Sequence, residues 1–240
     1  MRTEIKQQAF VLHSRPFRET SLLVTFFTEE RGKQNAIIRG VRSSSKLARA
    51  KQAWLQPFQR LTISWVEKKV ASSDLVTIHL LEPSNTRFPL MGEANFCGLY
   101  INELLYRMLY PAVISLDLFK HYQQALFDLS KSSNRQQQSW GLRVFEYQLL
   151  SDLGVGIDLL SDSHGNKIDE NKSYLFNLEQ GFVVEFNEDK IGISGQCLIK
   201  FANHDYSTDC LSALKKLFRF ILSYYLGDKP IKTRLLFKEF

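Results

Sequence analysis

The sequence predicts an α+β protein: a small N-terminal β-barrel over residues 1–82, then a mainly α-helical domain over 83–240 with a β insert at about 156–195. Three observations carry this. Short β-branched and aromatic runs fill the first 82 residues, the apolar period becomes helical after Pro83, and the positive charge is concentrated before that switch.

The strands come first. QAFVLH (8–13), SLLVTFF (21–27), QNAIIR (34–39), RLTISWV (60–66) and DLVTIHL (74–80) are each bounded by turn residues. Leu61, Ile63 and Trp65 alternate with Thr62, Ser64 and Val66, the pattern of a strand with one wet face. EERGK (29–33) joins two strands as a short glycine-containing hairpin. Five strands with a long basic loop between the third and fourth suit a closed barrel. An OB-fold fits best, and an SH3-like barrel is the alternative that pattern leaves open.

The helices follow. Phe96, Leu99, Tyr100, Leu104 and Met108 share helical spacing, and their helix must stop before Pro111. Leu118–Leu129 and Trp140–Leu153 predict two more, the second closed by Gly154, with SKSSNRQQQ (130–138) as a polar connection. From Gly156 to Gly195 the helical period vanishes, and YLFNL and FVVEF predict a small β insert. Leu211, Leu214, Phe218, Ile221, Leu222 and Tyr225 form one apolar face of a final helix that ends at Gly227.

A chain of 240 residues that is 44% hydrophobic can bury a core in two domains. Its three cysteines (Cys97, Cys197, Cys210) include no CxxC pair, which argues against a disulfide framework or a zinc ribbon and for a reducing compartment. MRTEIKQQAF lacks the apolar core of a signal peptide, and no apolar run is long enough to span a membrane, so a cytoplasmic protein is expected.

The segment GVRSSSKLARAKQ (40–52) begins like a phosphate-binding loop. A P-loop needs glycine before its lysine and Ser or Thr after it; Ser45 and Leu47 stand there instead, and the motif fails. What remains is charge. No acidic residue lies between Glu30 and Glu67, an interval with a local net charge of +8 in a chain whose total is +6. Residues 1–82 carry net +7 and residues 83–240 net −1. A basic first third on a neutral body points to a polyanion-binding face, against the plainer reading of a solvated loop.

Catalytic chemistry finds no support. The five histidines are scattered without metal-ligand spacing. GISGQ (192–196) misplaces a glycine of the nucleophile elbow, and the acidic run Asp158–Glu170 lacks calcium-loop spacing. Glu103 and Glu146 would form an acid/base pair only if folding brought them together. No enzyme activity, cofactor or metal is expected.

Several strings, taken in order, resemble the RecO family of bacterial recombination mediators. They are AFVLHSRPFRETSLLVTFFTEERG (9–32), IIRGVR (37–42), LQPF (55–58), GLYINELLYRML (98–109) and KPIKTRLLFKEF (229–240). The resemblance implies an N-terminal OB-fold followed by a helical domain, and binding to single- and double-stranded DNA. It further implies annealing of complementary strands, a partnership with RecR, and loading of RecA onto DNA coated with single-stranded-DNA-binding protein. The acidic, Phe-terminated tail of that coating protein is an expected ligand. Many relatives hold a four-cysteine zinc site whose first pair falls near Leu159–Gly165; this chain has LLSDSHG there, so the insert is expected to lack zinc and to pack through Phe176, Phe182 and Phe186.

On this basis Arg39, Arg42, Lys46, Arg49 and Lys51 are the expected phosphate contacts, with Arg15 and Arg18 extending the track. Trp54 is the candidate base-stacking platform, with Phe17 as a further one; core packing is the alternative for each, and Phe58 is assigned mainly to the core. Arg107, Arg143, Lys215, Lys216 and Arg219 are the candidate cations for the partner tail, Arg143 being the carboxylate partner unless it pairs with Glu146. Lys229, Lys232, Arg234 and Lys238 could add a second DNA contact. The alternatives are a sequence-nonspecific RNA-binding OB-fold protein, a lipid-binding protein and a nuclease.

Overall fold

The computed structural model describes residues 3–67, 75–111, 114–186, 192–206, 208–227 and 229–237. Strands β1 (Thr3–Phe17), β2 (Ser21–Thr28), β3 (Gly32–Ile38), β4 (Gln59–Glu67) and β5 (Leu75–Arg87) close a barrel in the order β1-β2-β3-β5-β4. Helix α1 (Lys46–Trp54) lies in sequence between β3 and β4. All neighbours pair antiparallel except β3 and β5, which run parallel through Asn35–Leu75, Ala36–Val76 and Ile37–Thr77. This is the five-stranded OB arrangement and not an SH3-like one.

The barrel interior is made of alternate residues, among them Ala9, Val11, Val24, Phe26, Ala36, Leu61, Ile63 and Trp65. Phe10 and Phe27 are on the opposite faces of their strands and are also fully buried, which is why both strands read as continuous apolar runs. Their rings meet Phe119 and Tyr122 at 5.1–5.8 Å. Those two residues come from α3 (Leu116–Lys131), which packs with α2 (Gly92–Met108) outside the barrel. A β-bulge between Val11 and His13 interrupts the ladder; Asn102 of α2 donates to the Val11 carbonyl (3.2 Å) and accepts from the Tyr122 hydroxyl (2.7 Å). The bulge is thus satisfied from the helices.

Compactness divides the chain differently from the change in period at Pro83. One unit comprises residues 1–132 and 230–240, and the other residues 133–229, so the units do not coincide with 1–82 and 83–240. Strand β5 also continues to Arg87. In the first unit the C-terminal segment, with its short helix α7 (Thr233–Leu236), is held by the Glu103 carboxylate, which accepts from the backbone N–H groups of Lys232 and Thr233 at 2.8 Å each.

The second unit contains α4 (Arg135–Asp152), a three-stranded sheet of β6 (Ser173–Asn177), β7 (Gly181–Glu185) and β8 (Ile193–Ser194) in the order β7-β6-β8, and helices α5 (Gly195–Ala202) and α6 (Leu211–Leu226). The polar connection is shorter than composition indicated. Asn134 caps α4 by accepting from the Gln137 N–H, so Arg135–Gln138 form the first turn. Gly154, at φ +82°, closes α4 with its N–H on Ser151 and that of Val155 on Leu150, the paired bonds of a Schellman motif. In the insert Phe182 is buried with Phe176 edge-on at 5.0 Å, as expected, but Phe186 is 90% exposed and its core position is taken by Tyr174. Tyr225 is likewise exposed, and Leu217 fills the α6 face in its place.

One expectation from the cysteines is overturned: Cys197 and Cys210, 13 residues apart, form a disulfide that ties α5 to the start of α6, and Cys97 is buried outside that bridge. The pairing arises from two helix ends meeting in space, which spacing does not encode. Among the described residues no helix is long and apolar enough to cross a membrane, and no three His, Cys, Asp or Glu side chains converge to hold a metal ion.

Candidate nucleic-acid interface

The basic stretch is only partly a loop. Ser45 accepts from the Ala48 N–H and starts α1, so Lys46, Arg49 and Lys51 are helical while Arg39 and Arg42 precede the helix in the turn. Ala48 faces the barrel; Lys46 and Arg49, three residues apart, are exposed on one side, and Lys51 is half-buried. The first turn of α1 has no acidic residue and begins with Lys46, against the preference of the helix dipole. Concentrating like charge there costs roughly 0.3–1 kcal/mol, so folding alone does not account for it.

Two turns distant in sequence are tied together. The Arg42 N–H donates to the Thr20 carbonyl at 2.8 Å, and the Arg42 guanidinium donates to the Arg18 carbonyl at 3.0 Å. Arg18 sits in the β1–β2 turn at φ +51°, with its guanidinium 5.3 Å from the Phe17 ring centre. Arg15, Arg18, Arg39 and Arg42 are all exposed, so the joined turns carry a cluster of cations from two strand connections. In an OB barrel the β1–β2 loop and the neighbouring strand face are where oligonucleotides lie.

Two of the aromatic candidates are largely structural. Phe58 is 4% exposed, and Trp54 is half-buried against the barrel core. Phe17 is half-buried beneath Arg18.

A part of the face escaped sequence reasoning. His13, Thr25, Asn35 and Leu75 are cross-strand neighbours on β1, β2, β3 and β5, and with Arg15 and Leu23 of the adjoining pair they line a concavity of about 300 Å³. Tyr106 of α2 walls one side, its ring 5.0 Å from the His13 ring, and Lys33 donates to the Tyr106 carbonyl at 2.8 Å with its ammonium 5.4 Å from the Tyr106 ring centre. Burial, and then the charges of Arg15 and Lys232, hold the His13 imidazole below its usual range; burial lowers the Lys33 ammonium as well. Strand alternation could have flagged Thr25 and Asn35 as outward-facing, but His13 shares the parity of the inward Val11 and is turned outward by the bulge between them, and Tyr106 is added by tertiary packing alone. Lys232 acts on His13, whereas Arg234 turns to Tyr100; Lys238 lies outside the described residues.

The expected partner-tail cations are only partly available. Arg107 is half-buried, donates to the Pro230 carbonyl (3.1 Å) and lies 3.8 Å from Glu103. Arg143 is 4% exposed and bonds to Glu146, itself 0% exposed, at 2.6 Å, so the intrahelical pair accounts for it and it does not present a surface guanidinium. Glu103 accepts hydrogen bonds within the first unit and Glu146 within the second. Lys215, Lys216 and Arg219 are exposed on α6. Burial, followed by the charges of Arg219, Arg143 and Arg135, lowers the Lys215 ammonium, with Glu146 opposing. The same unit has an apolar pocket of about 320 Å³ that includes Val144, Tyr147, Ile157, Leu160 and Phe201, with His204 and Tyr206 among its lining residues.

Comparison with known proteins supplies the family. The family models described as Recombination protein O N terminal and Recombination protein O C terminal match residues 1–87 and 91–235. DNA repair protein RecO of Haemophilus influenzae is 38% identical over 244 residues, covering 100% of this chain and 98% of the relative. That of Mannheimia succiniciproducens is 37% identical over 95% of this chain and 97% of its own, and that of Yersinia pestis 34% over 98% and 94%. Matches to both halves and relatives aligned over nearly their whole length lead to one conclusion: the chain belongs to the RecO family of DNA repair proteins.

Proposed function

We propose that this chain is a non-catalytic mediator of recombinational DNA repair. It binds single- and double-stranded DNA, anneals complementary strands and, with RecR, helps load RecA onto DNA coated by single-stranded-DNA-binding protein. The observation that carries the DNA-binding part is the union of the β1–β2 and β3–α1 turns through Arg42, which gathers Arg15, Arg18, Arg39 and Arg42 on the barrel. Such a track neutralises phosphates and leaves base edges open, the arrangement that annealing requires. Lys46 and Arg49 extend it along α1. The protein acts in the cytoplasm, on nucleoid DNA.

The test is fluorescence anisotropy of a labelled mixed-sequence single strand across several salt concentrations. If about five phosphates are contacted, log K falls against log salt with a slope of roughly −3.5. The triple variant Arg39→Ala/Arg42→Ala/Lys46→Ala removes three cations and flattens the slope by about 2. An unchanged slope refutes the track. A matching RNA strand in parallel separates this reading from a general RNA-binding module.

The acidic tail of the single-stranded-DNA-binding protein docks on the second unit, with its terminal Phe in the pocket of Tyr147, Ile157, Leu160 and Phe201 and its acidic residues toward the exposed cations of that unit. A labelled acidic peptide ending in Phe binds the wild type and loses affinity on Leu160→Asp; equal affinity for both proteins removes the pocket from the site.

A further inference from the structure

We propose that the concavity between Tyr106 and the outer face of β1, β2 and β3 is a nucleotide subsite that takes one base of a single strand, with the adjoining phosphate on Arg15. The inference rests on the reading of the barrel as a nucleic-acid face and goes beyond it, because a phosphate track predicts no contact with bases.

Four features specify the ligand. The cavity, about 300 Å³, lies at the small end of ligand sites and is open on one side, which suits one planar ring system still attached to a chain. Its wall offers two π-faces: Tyr106, 38% exposed, and the exposed His13 ring beside it. Leu23 and the 37%-exposed Leu75 add aliphatic surface. The polar groups are matched to a base edge. Thr25 donates its hydroxyl to the Asn35 side-chain oxygen at 2.7 Å, so the Asn35 amide nitrogen keeps both hydrogens, with no protein acceptor among the described residues. A ring nitrogen or carbonyl of a base is the acceptor it lacks.

The charge pattern selects an anion. No carboxylate lines the cavity, Arg15 forms no ion pair among the described residues, and Lys33 and Lys232 stand close by. Arg15 also precedes the β1–β2 turn by only three residues on the way to Arg18. A strand whose phosphates follow Arg42, Arg18 and Arg15 therefore delivers a base to Tyr106 and Asn35. Lys33, bonded to the Tyr106 carbonyl with its ammonium 5.4 Å from the ring centre, holds the platform in place.

The experiment compares a labelled 15-mer of thymidylate with its fully abasic phosphodiester counterpart, by anisotropy at fixed pH and salt. Wild type, Tyr106→Ala, Tyr106→Phe and Asn35→Ala are each titrated with both. Stacking of one base predicts that wild type prefers the thymidylate strand by roughly 5- to 150-fold. Tyr106→Ala and Asn35→Ala should lose most of that preference while holding the abasic strand as wild type does, and Tyr106→Phe should keep most of it. Unchanged affinity for the abasic strand also reports that each variant is folded. Equal wild-type affinity for the two strands overturns the subsite and leaves the phosphate track standing. Failure of wild type to bind either strand overturns the nucleic-acid reading itself, and the subsite with it.

Discussion

Removing one partner of the Arg143–Glu146 pair should unfold the second unit far more readily than removing both. The two residues are 4% and 0% exposed and joined at 2.6 Å, and the Arg143 Nε makes no hydrogen bond among the described residues. The pair is therefore desolvated, with little room for water to compensate a lost charge. Glu146→Leu leaves a guanidinium in a site where Lys215 already feels Arg143, Arg135 and Arg219, and the expected destabilisation is about 3–5 kcal/mol. Arg143→Met, which strands the carboxylate, should cost a similar amount. The double variant Arg143→Met/Glu146→Leu should lie within about 1 kcal/mol of wild type or above it, since apolar packing replaces a pair whose attraction mostly offsets its own desolvation. Urea unfolding followed by circular dichroism reads this as a midpoint shift of about 2 M for either single variant, at a slope near 2 kcal/mol/M. Single variants costing less than about 1 kcal/mol, or a double variant costing their sum, would refute the argument that the pair is buried and coupled. The result bears on function too: loss of peptide binding on Arg143→Ala would report a damaged unit and not a missing carboxylate contact.

Three further outcomes are expected. The His13 imidazole is held below its ordinary range, so the unfolded chain takes up its proton first as pH falls through that ordinary range, and stability of the barrel should drop with pH there. A bound polyanion opposes the repulsion from Arg15 and Lys232, so oligonucleotide affinity should strengthen from pH 7.5 to 5.5, and His13→Asn should flatten both trends in paired unfolding and anisotropy titrations. The Cys197–Cys210 bridge closes a short loop whose constraint on the unfolded chain is worth about 3 kcal/mol, so dithiothreitol should lower the unfolding midpoint of wild type and leave Cys197→Ser/Cys210→Ser unmoved. A Cβ at Gly98 would lie 2.5 Å from Leu90 and 2.7 Å from the Phe58 ring; Gly98→Ala should therefore destabilise the first unit by about 1–3 kcal/mol in thermal melts.

Much of this protein is legible in its residue order, because the forces involved are local. Short β-branched and aromatic runs between turn residues placed all five barrel strands, and the absence of acidic residues between Glu30 and Glu67 marked a cationic stretch. Gly154 stopped α4 because a left-handed turn there suits a residue without a Cβ. Local pattern failed where two segments compete or meet. Ser45 made a helix out of an apparent loop, since one capping oxygen outweighs a poor run of serines. The contiguous apolar strings of β1 and β2 did not reveal which face met the barrel interior and which met α3.

Tertiary structure alone decided the rest. Arg18 and Arg42 are 24 residues apart and share a hydrogen bond, Cys197 reaches Cys210 across two helix ends, and Tyr106 arrives from α2 to wall a cavity built on strands. It also withdrew Arg143 from the surface and put Phe186 on it. Charge, period and capping act over a few residues and leave their mark in sequence. Which side chains share a pocket depends on chain closure over tens of residues, set by packing of the whole unit, and no short stretch of the chain records it.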